Sequence, residues 1–276
     1  MMRQILLAML LLTGHSGRTG AALPPTLLEP VYHALFSQQN SLAWQQLIYL
    51  WPQLTSTTQR TAWQQALETV ISGQCGNDLP VSVPAWLDHP TLVLVQRDIP
   101  LNRIYRVQLS GNSPRHDLQV SLTLPDGQEI MTGAETEYDS GGQFRLESQD
   151  LGEALPAGVY HLKVSSGNDV WQQPLALQGT GGLNWIQRQG QQIHLQPPVT
   201  ARVCPSPSLE QTLLKRIGYA QVWWQKSSNL QLQHWPPRPD AADLWANVSV
   251  IRVEARGGLT LRFEHRLAGP LLTLQN

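Results

Sequence analysis

The hydrophobic period changes between Gly73 and Thr91, and that change sets the fold class. Before it, Leu28, Val31, Tyr32 and Leu35 recur at intervals of three and four, as do Trp44, Leu47, Ile48 and Trp51, and then Trp63, Ala66, Leu67 and Val70. That spacing puts each set on one face of a helix. Ser41 suits a helix N-cap, Ser56 with Gln59 forms a capping-box pattern, Gly73 suits a helix end, and Pro52 separates the second helix from the third. Residues 23–74 are therefore expected to be a helical region. Ala-Trp-Gln-Gln occurs at 43–46 and again at 62–65. It reads either as a trace of a helical-hairpin repeat or as two amphipathic helices whose Trp share a core.

After the change, apolar residues alternate. Thr91–Val95, Ile104–Leu109, Leu118–Leu124, Phe144 with Leu146, Ala157–Val164 and Trp171–Leu175 read as short strands. Pro125-Asp126-Gly127 is a turn between two of them. Strands at this spacing predict an antiparallel β-sandwich over 80–178. Gly179-Thr-Gly-Gly182 reads as a flexible linker, because no strand-to-helix context and no Lys make it a phosphate loop. A second β-rich domain is expected over 183–276. It would hold a hairpin around Gln189-Gly190, a short helix over Leu209–Lys215 capped by Ser208, a strand over Tyr219–Gln225, and a hairpin of Val248–Ala255 and Leu259–His265 turning at Gly257-Gly258. The expected class is α+β multidomain: helices first, then two antiparallel sandwich-like domains.

The first 22 residues have a different character. Arg3 supplies a positive start, Ile5–Leu12 is apolar throughout, and small residues lead to Ala21 and Ala22. This is the layout of a secretory signal peptide cleaved near Ala21 or Ala22, and its apolar run is too short to span a bilayer, which takes about 20 residues. Residues 1–22 are read as that signal, and the mature chain is expected to carry no transmembrane segment. A periplasmic location follows, with full secretion as the alternative. Removing Arg3 and Arg18 leaves 17 basic residues against 20 acidic ones. With charged residues at 14% and a formal net charge of −1 for the whole chain, the basic stripe of a nucleic-acid binder is missing.

Export gives the two cysteines an oxidising compartment. Cys75 and Cys204 are expected to pair, closing a loop to which chain-entropy reasoning assigns about 4–5 kcal/mol. Neither has a Cys or His at zinc-ligand spacing. No metal and no cofactor are expected. The motifs of zinc proteases, serine hydrolases and penicillin-binding enzymes do not occur, so no catalytic residue is assigned. Glu135, Glu137 and Asp139, near Asp126 and Glu129, read as a solvated acidic loop, with a weak calcium site as the alternative.

The chain has ten Trp. Trp44, Trp51 and Trp63 fall on the helical stripes and are expected in the core. Trp223 and Trp224 are adjacent on a strand, so they point to opposite faces. Trp235, followed by two Pro, reads as a rigid, exposed aromatic. Trp223, Trp224 and Trp235 are thus the candidate residues for binding a glycan or a partner protein, with packing between domains as the alternative.

Leu155-Pro-Ala-Gly-Val-Tyr160, followed by alternation, resembles the penultimate strand of immunoglobulin-like bacterial modules, with Tyr160 as its corner tyrosine. The signal-like start, the helical beginning and the spaced Cys75 and Cys204 together resemble a family of exported proteins of unknown function in marine and enteric-type gammaproteobacteria, some encoded beside envelope-stress sensor systems. That resemblance implies association with a Gram-negative cell envelope and no catalytic residue. The expected function is a non-catalytic periplasmic protein that binds an envelope protein or glycan. The alternative is a polysaccharide or cell-wall hydrolase with a carboxylate pair at a domain junction.

Overall fold

The computed structural model describes residues 26–189, 192–238 and 240–274; the signal-like segment 1–22 lies outside them. Three helices come first: α1 (Glu29–Phe36), α2 (Asn40–Leu50) and α3 (Thr57–Gln74). The capping box is present, with Ser56 Oγ accepting from Gln59 N at 3.2 Å and Gln59 Oε1 accepting from Ser56 N at 3.1 Å. Ser41 is not a cap: α2 starts one residue before it, and its hydroxyl donates to Asp78 O. Nor does α3 end at Gly73. It runs to Gln74, and the left-handed exit falls on Cys75 (φ 54°) and Gly76 (φ 76°). Trp44 and Trp63 are fully buried and Trp51 is half-buried; Trp63 Nε1 donates to Leu47 O at 2.9 Å, tying α3 to α2.

Fourteen strands follow among the described residues. They are β1 (Asp88–Ile99), β2 (Asn102–Asn112), β3 (Gln119–Thr123), β4 (Glu129–Ile130), β5 (Glu137–Tyr138), β6 (Gln143–Glu147), β7 (Gly158–Ser166) and β8 (Asp169–Leu177), then β9 (Ile186–Gln189), β10 (Gln192–Leu195), β11 (Ser208–Lys215), β12 (Gln221–Ser227), β13 (Leu244–Arg256) and β14 (Leu259–Pro270). A large sheet has the order β12-β11-β13-β14-β1-β2-β6-β5, a second has β4-β3-β7-β8, and β9 and β10 form a hairpin. The β1-β2-β6-β5 and β4-β3-β7-β8 orders are those of an immunoglobulin-like sandwich. Their inward residues, among them Leu92, Leu94, Val107 and Phe144 from one side and Leu122, Tyr160, Leu162 and Val164 from the other, belong to one buried core. Tyr160, near the start of β7, donates its hydroxyl to Pro156 O four residues upstream, which is the tyrosine-corner arrangement. Burial pushes its phenol well above the ordinary value, with the Asp126 charge adding to the effect.

The expected division into an 80–178 sandwich and a separate 183–276 domain differs from this topology. β1 pairs in parallel with β14, Thr91 with Thr260 through Asp98 with Leu267, so both halves share one eight-stranded sheet. Residues 179–182 are accordingly a crossing anchored at Thr180, with Gly181 and Gly182 exposed, and not a free linker. Thr180 is fully buried and exchanges bonds with Leu155, its N donating to Leu155 O and its Oγ1 accepting from Leu155 N. Leu209–Lys215 is strand β11 and not a helix. Leu209 and Leu213, four apart, fit either period, but Gln211 between them is also buried, paired through its side chain with the Gln233 backbone, and burial therefore alternates.

The β13–β14 tip inserts into the segment that leaves α3. Ala255 N donates to Cys75 O, Gly257 N to Gly76 O and Gly258 N to Val81 O, each within 2.9 Å. Cys75 is bonded to Cys204, 129 residues away, with Cα atoms 5.0 Å apart. Beside this contact Arg256 is fully buried. Its guanidinium donates to Ala176 O of β8 and Glu254 of β13 and lies over the Trp44 ring of α2, so one side chain touches all three regions. Burial holds its proton affinity below the ordinary value, against the opposing pull of Glu254.

Candidate binding surface

The three candidate Trp residues do not form one cluster. Trp223 turns toward the covered face of the large sheet, where its ring meets Trp235 edge-on at 5.6 Å. Trp235 is partly buried there, with Nε1 donating to Leu274 O at 2.9 Å, so the exposed Trp-Pro-Pro expected from sequence is instead a packed one. Trp224 points the other way and is 50% exposed.

The face that Trp224 occupies is defined by strand register. Trp224 stands opposite Thr212, Thr212 opposite Asn247, and Asn247 opposite Ala268. The neighbouring row runs Lys226, Glu210, Ser249, Arg266, Arg97. Charged side chains along this face form a chain of ion pairs: Lys226–Glu210 at 3.5 Å, Glu210–Arg262 at 3.2 Å, Arg262–Glu264 at 3.2 Å, and Glu264–Arg266. Toward the sandwich, Arg106 pairs with Glu147 and Asp150. Burial would raise the Glu264 carboxyl, but the adjacent Arg266 and Arg262 guanidiniums hold it below its usual value. Arg106 is raised, chiefly by its bond to Asp150. Asn247 Oδ1 and Trp245 Nε1, both on this face, are buried and without a hydrogen-bond partner. The sequence reading did not find Arg97, Asn247 or Arg266. The available signal was Arg262, Glu264 and Arg266 alternating with Leu261, Phe263 and His265, which marks one strand face as charged.

Two of the recesses elsewhere gather charged side chains. The first, an open cleft of about 820 Å³, is lined by Asp98, Arg103, Asn184 and Arg188 among others. Behind it His265 is buried, its Nδ1 accepting from Trp185 N at 3.0 Å and Ile186 N at 3.1 Å, and its Nε2 lying 3.1 Å from Asp98 Oδ2. The second, about 350 Å³, lies where α3, residues 199–204 and β13 meet, and contains both Glu68 and Glu254. Glu254 is 6% exposed and is held by Arg256 at 3.3 Å and Arg252 at 3.9 Å. Its charge is therefore committed within the protein. The acidic stretch near residue 135 is occupied by local turns: Asp139 accepts from Gly141 N and Gln143 N, and Asp126 from Gln128 N. Among the described residues no three acidic, His or Cys side chains are grouped to hold a metal ion, and no helix is long and apolar enough to cross a membrane.

These features define an α+β protein in which a helical start, an immunoglobulin-like sandwich and a further β-rich part share one sheet and one disulfide. The chain belongs to the protein family of unknown function DUF2861, whose model matches residues 24–271. No curated protein matches it. A solved structure of three titin immunoglobulin domains, I67–I69 in an E-to-A variant, is similar at 13% identity over 68% of this chain and 66% of that one, with a TM-score of 0.18. That score is too low to bear on the fold, which rests on the strand order above.

Proposed function

We propose that the chain is a non-catalytic, exported protein of the cell envelope that holds a glycan on the open face of its large sheet, in the service of cell-wall homeostasis or the response to envelope stress. The observation that carries this reading is Trp224, half exposed at the sheet's edge beside rows of fixed polar side chains. An aromatic face stacks on a sugar ring while neighbouring amides and guanidiniums bond its hydroxyls. The signal-like start and the Cys75–Cys204 bond support export. The test is co-sedimentation of the oxidised mature chain with insoluble peptidoglycan. The wild type is expected to pellet, and Trp224→Ala to lose at least ~5-fold in affinity, about the value of a stacked aromatic, with unchanged thermal melting. Equal pelleting of the two proteins, or none by the wild type, contradicts the proposal.

A second reading, a cell-wall hydrolase at a junction, is favoured by Glu68 and Glu254 lining one recess. It requires release of soluble fragments from the same material, abolished in Glu68→Gln.

A further inference from the structure

Among the described residues, no carboxylate pairs with Arg97 of the charged face. Arg97 stands in β1 directly opposite Arg266 of β14. Like charges facing each other across neighbouring strands repel, and folded proteins place a counter-charge between them or avoid the pairing. Here the carboxylates are already committed: Glu264 to Arg262 and Arg266, Asp150 to Arg106, Glu147 to Arg106 and Arg145. Arg97 has no ion pair or hydrogen bond among the described residues, and its Nε is buried without an acceptor. Burial, followed by the Arg266 and Arg106 charges, lowers its proton affinity, and Asp150 and Tyr219 only partly offset this. Asn247, nearly buried in the adjoining row, has an unpartnered amide oxygen, and Trp245 on the same face has an unpartnered indole N–H.

A guanidinium that lacks an acceptor of its own and is backed by two further guanidiniums is an incomplete coordination shell for a planar or tetrahedral oxyanion. We infer that Arg97, supported by Arg266 and Arg106, is an anion site that takes a carboxylate or phosphate group. The glycan proposed above is its carrier, and the inference rests on that reading for the carrier but not for the anion. A bound oxyanion gives Arg97 the acceptor it lacks and relieves its repulsion with Arg266. The face thereby selects acidic saccharides over neutral ones.

The experiment is thermal melting and calorimetric titration of the oxidised mature chain with inorganic phosphate in one arm and galacturonate in the other, at constant ionic strength adjusted with chloride. Arg97→Met keeps the volume and removes the charge. Arg145→Met removes a paired, exposed Arg of the same face and serves as control. The wild type and Arg145→Met are expected to melt higher with one or both anions, and the responding arm identifies the group as phosphate or carboxylate. Arg97→Met is expected to melt higher than the wild type without anion and to bind at least ~10-fold more weakly, the value of one charge-assisted bond pair. Arg97→Lys is expected to fall between them. No response to either anion in the wild type, or an equal response in Arg97→Met, overturns the anion site. Peptidoglycan pelleting that depends on Trp224 survives that outcome, so this failure and failure of the glycan reading are distinguishable.

Discussion

His265 shows how much a single ring can settle. Its Nδ1 accepts two backbone N–H groups, from Trp185 and Ile186, so the ring hydrogen must sit on Nε2 and be donated to Asp98. The Gln96 amide nitrogen lies 3.2 Å from the same ring nitrogen, and its oxygen is buried without a partner. Burial alone would raise the Asp98 carboxyl, but the hydrogen bonds from His265 and Arg103 prevail and hold it at about 2. A depressed carboxyl stabilises the fold above its ordinary value of 3.8, and this stabilisation is lost as pH falls from there through about 2. Urea unfolding is expected to show a drop on the order of 2 kcal/mol between pH 4 and pH 2 from this group. Asp98→Asn is expected to be less stable at pH 7 and to show a flatter acid decline. An unchanged acid profile contradicts this. None of it was legible in the sequence, where 167 residues separate His265 from Asp98 and only the parallel register brings them together.

Strands and helices differ in how much their own residues announce them. The helical stripes, the Ser56 capping box and the β13–β14 hairpin were legible because local spacing and turn chemistry determine them. Strand β11 was not, because its identity depends on Gln211 meeting a backbone 22 residues away. The β13–β14 turn also shows why Gly257 is required. Its φ is 56°, and a Cβ there would lie 2.4 Å from both Leu79 O and Val81 O. Gly127, with φ 90°, has nothing within 4 Å of such a Cβ. Gly127→Ala is expected to cost about 1–2 kcal/mol, from backbone strain alone. Gly257→Ala must also displace backbone and is expected to cost at least twice as much in denaturant unfolding. Similar costs for the two variants contradict the close docking of the tip.

For the whole molecule, topology overrides the boundaries that composition suggests. The glycines at 179–182 look like a linker, yet the chain beyond them returns to pair β14 with β1. A parallel pairing has no connecting turn to reveal it, and so two sandwiches were expected where one sheet spans both. The cysteine pairing was legible, because two cysteines leave one intramolecular connectivity. By chain-entropy reasoning a loop of 129 residues contributes about 4–5 kcal/mol. The bond, the inserted hairpin tip and buried Arg256 hold the three regions together. Of the large sheet's open face only Trp224 was foreseen, because its charges acquire meaning only through cross-strand neighbours. Hydroxyl-radical footprinting of the oxidised mature chain, with and without soluble peptidoglycan fragments, tests this directly. Protection of Trp224 and of Tyr219, which lies near Arg97, with unchanged labelling of Leu101 beside the Asp98 cleft, is the predicted result. Protection at Leu101 or Val199 without protection of Trp224 would place the ligand in one of the two recesses and contradict the account.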